Sequence, residues 1–368
     1  MSRFVQLHVL TSYPPSNLNR DDTGRPKTAE MGNVNRLRIS SQSQKRAWRK
    51  SDIFETALHG HIGTRTKALG SELMKKFMDA GIKEKAARDW AESMIGVFAK
   101  VESKKTVKKA DAKAEGASKT AAADMTVTTG QLVHYGPEEV EALMALADAC
   151  IERNSAPDTE ELQLLRKPRK AVDIALFGRM LAEKPAFNVE AAVQVSHAIT
   201  VHRSTVEDDY FSAVDDLNKG DEDRGAGHIG ERGFGAGLFY LYVCLDRELL
   251  RANLGEDSEL TNRAIQALVE AITKVSPTGM QNSHASRAYA SYVLAEKGDQ
   301  QPRSLSQAFL HPVKSEAHTS MLDKSVAALE KRRDNFEKVY GKCAEAAYAI
   351  NVESGEGTLA ELIQFAQE

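Results

Sequence analysis

The chain has 368 residues, of which 42% are hydrophobic and 27% are charged, and its formal net charge is −3. This composition predicts a water-soluble protein with a sizeable core, and it excludes a strongly basic protein that coats nucleic acid without selectivity. No run of about 18 apolar residues occurs, and the opening residues, MSRFVQLHVL, lack the apolar segment of a signal peptide. We therefore expect a cytoplasmic location and no membrane partner.

The cysteine and histidine residues form no recognisable ligand set. Cys150, Cys244 and Cys343 lie far apart in apolar surroundings, where a free thiol behaves as a small hydrophobic side chain. The scattered histidines have no nearby carboxylates at metal-binding spacing. We expect no disulfide, no metal and no other cofactor.

Positive charge is concentrated at the amino terminus. Residues 1–50 contain ten Lys and Arg residues against three acidic residues, so they carry +7 and the remaining 318 residues carry −10. An acidic protein with one basic region is expected to hold nucleic acid in a single groove.

Residues 4–10 alternate between apolar and polar side chains, which predicts a strand. The Pro-Pro pair at 14–15 is expected to end it, and the charged loop that follows, residues 19–27, is a natural position for binding residues. Asp21 and Asp22 in this loop could bind Mg²⁺ or act on a phosphodiester. Capping and loop hydrogen bonding are the more common roles of such acids.

Residues 35–50, NRLRISSQSQKRAWRK, join a strand pattern to a helix pattern, and both patterns carry cations. Alternate residues of a strand point to opposite faces, so one face is expected to be cationic and the other to pack in a core. The expected cationic face consists of Arg36, Arg38 and Ser40, and the expected core face consists of Leu37 and Ile39.

The helix that follows is predicted from about residue 42 to residue 58. Its spacing places Gln42, Lys45 and Arg49 on one side, with Arg46 at the margin. Regularly spaced ammonium and guanidinium groups suit a polyanion, because each neutralised phosphate releases condensed counterions. The alternative is a basic helix that is only solvated.

Residues 59–190 are expected to be almost wholly helical, because apolar residues recur there at helical spacing. The segment 102–124 is rich in Lys and Ala and has one large apolar residue, Val107, so it is predicted to be a mobile loop. Its lysines could contact nucleic acid, although a solvated linker is the more common role of such a segment.

Residues 193–202 alternate most clearly of all and predict a strand, and residues 238–245 predict a strand buried on both faces. The segment between them, residues 203–235, has 33 residues, which is far longer than a hairpin loop, and contains nine acidic and four basic residues. We interpret it as a functional insertion. Its adjacent aromatic residues, Tyr210 and Phe211, could stack on bases or serve as packing residues.

One string in this insertion, Gly225-x-Gly-x-x-Gly230, matches the dinucleotide-binding fingerprint. The fingerprint needs a strand directly before it and a helix directly after it, and the sequence predicts neither. We interpret these glycines as part of a flexible return arm.

The remaining pattern predicts a helix over residues 256–275, a strand over 288–295, and helices over 316–349 and 358–367. Without the helical block and the insertion, the order is strand, helix, strand, strand, helix, strand. This is the order of the ferredoxin-like unit, which RNA-recognition domains share. The predicted fold class is α+β, and the fold favours RNA binding without settling it.

Several blocks together resemble the CasC family, the repeated backbone subunits of the type I-E CRISPR Cascade complex. The blocks are LHVLTSYPPSNLNRDD, RLRISSQSQKRAWRKS, DIALFGRM, SHAITVHR and DDYFSAVDDL, with a weaker likeness in SLSQAF. The resemblance implies a ferredoxin-like (RRM-like) palm with a helical finger insertion and a long thumb insertion. The palm would comprise residues 1–58, 191–202 and 236–368, the fingers 59–190 and the thumb 203–235.

The resemblance also implies a function. Such subunits are non-catalytic, stack in several copies along a CRISPR RNA in antiviral defence, and present the guide for pairing with target DNA. The implied partners are CRISPR RNA, other copies of the chain, other Cascade subunits and, through the guide, target DNA.

The resemblance implies two groups of RNA-binding residues. The first would hold guide phosphates and sugars and comprises Arg20, Lys27, Ser40, Gln42, Lys45 and Arg49, beside Arg36 and Arg38 from the strand pattern. The second would contact or wedge a displaced base and comprises Met180, Tyr210 and Phe211. Two alternatives remain: a subunit like those of type III effectors, in which Asp21 or Asp22 cleaves bound target RNA, and a helical scaffold that binds no nucleic acid.

Overall fold

The computed structural model describes residues 2–102, 126–165, 170–213, 228–316 and 318–368. The chain divides into two compact units, which we call the sheet unit and the helical unit. The sheet unit comprises Met1–Ala57, Val193–Glu248 and Ser258–Glu368, and the helical unit comprises Leu58–Ala192 and Leu249–Asp257. The division into palm, fingers and thumb stays a prediction.

The strands and helices of the described residues are numbered in chain order. The strands are β1 (Phe4–Ser16), β2 (Thr28–Glu30), β3 (Asn35–Ile39), β4 (Thr64–Thr66), β5 (Val133–Tyr135), β6 (Val193–Val195), β7 (Ala198–Thr200), β8 (Glu207–Ala213), β9 (His228–Asp246), β10 (Tyr292–Gly298) and β11 (Ala346–Asn351). The helices are α1 (Ser41–Arg49), α2 (Asp52–Ala57), α3 (Leu69–Asp79), α4 (Glu84–Ile95), α5 (Pro137–Arg153), α6 (Thr159–Leu164), α7 (Val172–Phe177), α8 (Arg247–Asn253), α9 (Ser258–Lys274), α10 (Gln281–His284), α11 (Met321–Tyr340) and α12 (Leu359–Gln367).

The sheet unit is built on one antiparallel sheet. Its strand order is β11-β10-β1-β9-β7-β3-β2, and β6 and β8 also pair with β9. The central strands β10, β1, β9 and β7 form the four-stranded sheet of a β-α-β-β-α-β unit, with α1 and α2 after its first strand and α9 between its last two. The predicted α+β, ferredoxin-like fold class is confirmed.

Strand β1 is longer and more deeply buried than the alternation predicts. It pairs with β9 on one side and β10 on the other, and its polar residues Gln6 and His8 are as buried as its apolar ones. The strand continues to Ser16, and the pairing with β9 shifts register between Tyr13 and Ser16. Proline lacks an N–H donor, and a shift in register accommodates that loss. The prediction that the prolines end the strand is wrong.

Helix α11 and the turn at 306–309 cover one face of the sheet. Leu10, Tyr240 and Leu294 on the strands form a buried cluster with Phe309 and with Leu329 of α11. RNA-recognition domains stack bases on exposed aromatic residues of this kind of sheet. Here Tyr240 and Tyr292 are 1% and 2% exposed, so neither of these two rings is available for stacking on the covered face.

A polar network lies within this covered face. Glu296 accepts two hydrogen bonds from the Arg303 guanidinium, at 2.6 and 3.0 Å, and one from His8 Nε2 at 3.0 Å. His8 Nδ1 accepts a hydrogen bond from the Tyr240 hydroxyl at 2.9 Å. The Tyr240 hydroxyl in turn accepts one from the Leu305 N–H. Burial alone raises the pKa of Glu296, but the hydrogen bonds from His8 and Arg303 lower it to about 2. Burial lowers the pKa of His8.

Three predicted elements are divided in the structure. The single helix predicted over 42–58 is two helices, because the Ser51 hydroxyl accepts from the Phe54 N–H and begins α2. The strand predicted over 193–202 is divided into β6 and β7. The helix predicted over 316–349 ends with α11 at Tyr340, and β11 follows it.

The helical unit has its own core. Residues on α3, α4 and α5 fill it, including Phe77, Met94 and Leu143, and Trp90 packs edge-on against Phe77 with ring centroids 5.3 Å apart. A two-stranded ribbon of β4 and β5 also belongs to this unit, so the prediction of an almost wholly helical block is wrong there. The predicted loop at 102–124 lies, from residue 103 onward, outside the described residues.

None of the described helices combines the length and hydrophobicity that a bilayer span requires.

Candidate nucleic-acid interface

The charged loop after β1 is held in a fixed shape by hydrogen bonds. The buried amide of Asn17 donates to the carbonyls of Gly24 and Gly233, both at 2.9 Å. Asn19 Oδ1 accepts from the Ser40 N–H at 2.8 Å, which joins the loop to the start of α1. The Arg38 N–H donates to the Lys27 carbonyl at 2.8 Å, which joins the loop to β3. The loop, β3 and α1 therefore form one continuous surface.

Asp21 shapes the turn of this loop. Its Oδ1 accepts from the Thr23 N–H, the Thr23 hydroxyl and the Arg25 N–H, at 2.8 to 2.9 Å. These hydrogen bonds, the one from the Thr23 hydroxyl first, hold the pKa of Asp21 below its usual value. Asp22 beside it is exposed. Within the described ranges, no three His, Cys, Asp or Glu side chains are close enough to hold a metal ion.

Arg20 is exposed and lines two clefts. One, of about 500 Å³, lies between the loop and the amino-terminal part of β9 and is also lined by Arg25 and Arg232. The other, of about 480 Å³, lies between the loop and Ser43 of α1. Arg25 forms an ion pair with Asp208 of β8 at 2.8 Å, so its charge is partly neutralised.

Arg36 does not contribute to a cationic face. It is 0% exposed, and its guanidinium donates to the carbonyls of Met31, Thr200 and Phe309, at 2.9 to 3.2 Å. Burial lowers its pKa. The prediction that Arg36 belongs to an exposed cationic face is wrong, because the chain around Phe309 covers β3 at Arg36, whereas Arg38 on the same side of the strand is only half-buried.

Helix α1 turns a different side to solvent from the one predicted. Ser40 is buried at its amino-terminal end, where the Ser40 hydroxyl accepts from the Ser43 N–H. Arg49 is 6% exposed and lies on the buried side, whereas Arg46, predicted at the margin, is exposed. Gln42 is exposed, and Lys45 is half-buried with a pKa lowered by that burial.

We define the cationic surface as the cationic side chains of this continuous surface that reach solvent, together with Gln42 and without Arg25, which is paired with Asp208. They are Arg20, Lys27, Arg38, Gln42, Lys45 and Arg46. Among the described residues, Arg20, Lys27 and Arg38 form no ion pair, so their charges are available to an anionic partner.

His197 lies at the edge of the cationic surface and is not among the residues predicted to bind RNA. It separates β6 from β7, is exposed, and lies within hydrogen-bonding distance of Arg38 and Ser41. The alternation over residues 193–202 places His197 on the same face as Val195 and Ile199, and a histidine on an otherwise apolar face was a usable signal. Although the residue is exposed, partial desolvation of its ring, with Arg38 and Lys27 nearby, lowers the pKa of His197.

Strands β8 and β9 form the described part of the insertion. Tyr210 is 67% exposed, whereas Phe211 points to the other face of this ribbon and covers Gly230 on the opposite strand. A Cβ at Gly230 would lie 2.3 Å from the Phe211 ring, and the Arg232 guanidinium lies 4.7 Å from the centre of that ring. The two aromatic residues therefore serve opposite faces of the ribbon. The glycines Gly225 and Gly227 lie outside the described residues.

Met180 belongs to the helical unit and is 81% exposed. The side chain of the residue before it, Arg179, is buried and donates two hydrogen bonds to the Glu139 carboxylate at 2.7 and 2.9 Å. Gly178, with φ of +78°, lets the chain turn between α7 and this anchor. The anchored backbone presents a large apolar side chain to solvent.

Comparisons with known proteins agree with this architecture. A chain from a structure titled "CRISPR RNA-guided surveillance complex, pre-nicking" is 28% identical, has a TM-score of 0.79, and is matched over 99% of this chain and 100% of that chain. A chain from a second structure, titled "CRISPR RNA-guided surveillance complex", has a TM-score of 0.69 over 99% of both chains and, at 23% identity, shows the fold alone. A comparison with curated proteins found no match.

The sequence also matches one family over nearly its whole length. The family is described as CT1975-like protein, and the match covers residues 5–367. The match includes the loop after β1, β3, α1, the β8–β9 ribbon and the segment with Met180. The chain belongs to the CT1975-like protein family.

Proposed function

We propose that this protein is a non-catalytic backbone subunit of a type I-E CRISPR Cascade surveillance complex. In this role it binds the sugar-phosphate backbone of CRISPR RNA, several copies assemble along that RNA together with other Cascade subunits, and the guide remains free to pair with target DNA. The observation that carries the proposal is the end-to-end correspondence with a chain of a CRISPR RNA-guided surveillance complex.

The cationic surface supports backbone binding. It combines point charges on lysines with guanidinium forks, and both neutralise phosphates without reading bases. The covered sheet face supports the same interpretation, since the rings of Tyr240 and Tyr292 are not exposed to bases there. Sequence-independent binding is what a guide-carrying subunit requires, because base pairing then reads the sequence.

The exposed aromatic and apolar side chains support contacts to displaced bases. Tyr210 offers a ring on the ribbon, and Met180 offers a flexible apolar side chain on a fixed backbone. A base stacked on an aromatic ring contributes about 1–3 kcal/mol whatever its identity.

Copurification tests the proposal. The chain is expressed with its partner subunits and a CRISPR array, and the purified complex is expected to contain a discrete RNA. A complex that assembles without RNA, or whose assembly is insensitive to ribonuclease, contradicts the proposal.

A charge-removal variant tests the surface. Lys27→Ala with Arg38→Ala is expected to weaken binding to unrelated guides alike and to lower the slope of log K against log salt by about 0.7 for each lost phosphate contact. Lys331→Ala with Lys338→Ala removes the same charge from exposed positions on α11 and serves as the control. Equal losses in both variants would point to a general charge effect.

The cleavage alternative has its own test. Asp21 already accepts three hydrogen bonds in the turn, so Asp22 is the carboxylate of this loop with the greater exposure. Under the proposed function, the complex with Mg²⁺ leaves a complementary RNA intact. Cutting that Asp22→Ala abolishes would favour a ribonuclease instead.

A further inference from the structure

The chain leaves the sheet at His197. Ser196 remains bonded to β9, since its N–H donates to the Tyr242 carbonyl and its hydroxyl accepts from the Tyr242 N–H, both at 2.9 Å. Val195 pairs with Val243 before the break, and pairing resumes at Ile199 with Tyr240. His197 falls in the unpaired interval, so its side chain projects beside β3 and the start of α1.

The position of the ring proton follows from its neighbours. His197 Nδ1 lies 3.2 Å from the Ser41 backbone N and 3.3 Å from Arg38 Nη1. Both neighbours can only donate, so Nδ1 must accept, and the neutral ring then carries its proton on Nε2. Nε2 has no hydrogen-bond partner among the described residues.

The charges around the ring favour this neutral form. Arg38 on β3 and Lys27 in the loop are the charged groups that act on it, and both are cations. A proton on Nδ1 would also place a donor against the two donors it now accepts from. The hydrogen-bond geometry at Nδ1 and the nearby positive charges therefore both favour the neutral ring.

We propose that His197 is a positioning residue for the RNA backbone. Its Nδ1 holds the Arg38 guanidinium and the first N–H of α1 in place, and its Nε2–H is presented to a phosphodiester oxygen between Lys27 and Arg38. This inference rests on the proposed function. It adds a neutral hydrogen-bond donor, Nε2–H of His197, which exists only in the tautomer that carries the proton on Nε2.

The tautomer is measured directly on the full-length chain. Histidine is labelled with ¹⁵N, and the His197 signals are identified by their absence from the His197→Asn variant. Near neutral pH, Nδ1 is expected to resonate as an unprotonated nitrogen and Nε2 as a protonated one. A proton on Nδ1, or a charged ring, overturns the inference.

Two substitutions separate the two nitrogens. His197→Asn keeps an oxygen acceptor near the place of Nδ1 and loses the Nε2–H, whereas His197→Phe keeps the ring and loses both. Affinity for single-stranded RNA is expected to fall about threefold in the Asn variant with no change in salt slope. The affinity of the Phe variant is expected to fall roughly tenfold or more. Its slope of log K against log salt is expected to be lower by about 0.7, because Arg38 is no longer held in place to contact a phosphate.

The control is His59→Asn, which replaces an exposed histidine of the helical unit and is expected to bind RNA as the wild type does. Far-ultraviolet circular dichroism establishes that each variant is folded. Wild-type binding that all three variants match overturns the role of His197 and leaves the proposed function standing. Absence of RNA binding by the wild-type protein overturns both.

Discussion

Arg36 and Arg38 show how neighbours with one chemistry acquire different roles. Both lie on the same side of β3, and a strand pattern cannot distinguish them. The difference comes from residues far along the chain, because the Phe309 carbonyl and the Thr200 carbonyl enclose Arg36 alone. The sequence places several cations in this segment, and the strand pattern could not predict that Arg36 is enclosed while Arg38 is only half-buried.

Replacing Arg36 tests its structural role. Arg36→Met leaves the buried carbonyls of Thr200 and Phe309 and the partly buried carbonyl of Met31 without their donor, so the free energy of unfolding is expected to fall by roughly 2–4 kcal/mol. Arg46→Met, at an exposed position of α1, is expected to change it by less than about 0.5 kcal/mol. Urea unfolding measures both variants, and an Arg36→Met protein as stable as the wild type would contradict the assignment.

The buried network around Glu296 predicts sensitivity to acid. The pKa of Glu296 is lowered from 4.5 to about 2, so its stabilising contribution is complete above pH 4.5 and is lost as the pH falls towards 2. The size of the contribution is on the order of 3 kcal/mol. The lowered pKa of His8 acts in the same direction, because protonating His8 below its ordinary value of 6.5 also opposes folding.

The Glu296→Gln variant checks this prediction. The variant cannot titrate at this position, so its unfolding free energy is expected to be lower at neutral pH and to fall less steeply between pH 4.5 and pH 2. Unfolding followed across that range gives the slopes. Parallel pH profiles for the two proteins would exclude Glu296 as the source of the sensitivity.

Among the elements, those with long periodic patterns were predictable and their ends were not. The apolar stripes of α3, α4 and α9 follow from spacing alone, as does the alternation of β1, and the second half of β9 follows from its continuous apolar run. The break after Lys50 depends on one hydroxyl, and the break at His197 depends on the bonding of Ser196 to Tyr242. Hydrogen bonds of single side chains leave no trace in hydrophobic periodicity.

The break between α1 and α2 gives a prediction for Ser51. Ser51→Ala removes the acceptor for the Phe54 N–H, and the unfolding free energy is expected to fall by about 1 kcal/mol. Ser51→Asp supplies another acceptor at the same position and is expected to keep most of the stability. Equal losses in both variants, measured by urea unfolding, would show that the hydroxyl does not cap α2.

At the scale of the whole molecule, the order of strands and helices was predictable because two large insertions leave the ferredoxin-like order intact. Which apolar side chains are exposed was not predictable from hydrophobic periodicity. The exposure of Met180, for example, follows from the buried side-chain pair of Arg179 and Glu139, which lie 40 residues apart in the chain.

The proposed assembly predicts how many chains bind one RNA. On RNAs of increasing length, the number of bound chains is expected to rise in single steps at a constant interval, because each copy covers the same length of backbone. Native mass spectrometry counts the chains. One chain per RNA at every length would contradict assembly of several copies.

Under the proposed function, the covered sheet face has a consequence for the range of guide RNAs that the protein can accept. A domain that stacks bases on its sheet carries a preference built into its own side chains, and each new target demands new side chains. Tyr240 and Tyr292 are enclosed beneath α11, so these two rings cannot impose such a preference from the covered face. Under the proposed function, a newly acquired guide is usable at once, and the memory of past infections lengthens without any mutation in the protein that carries it.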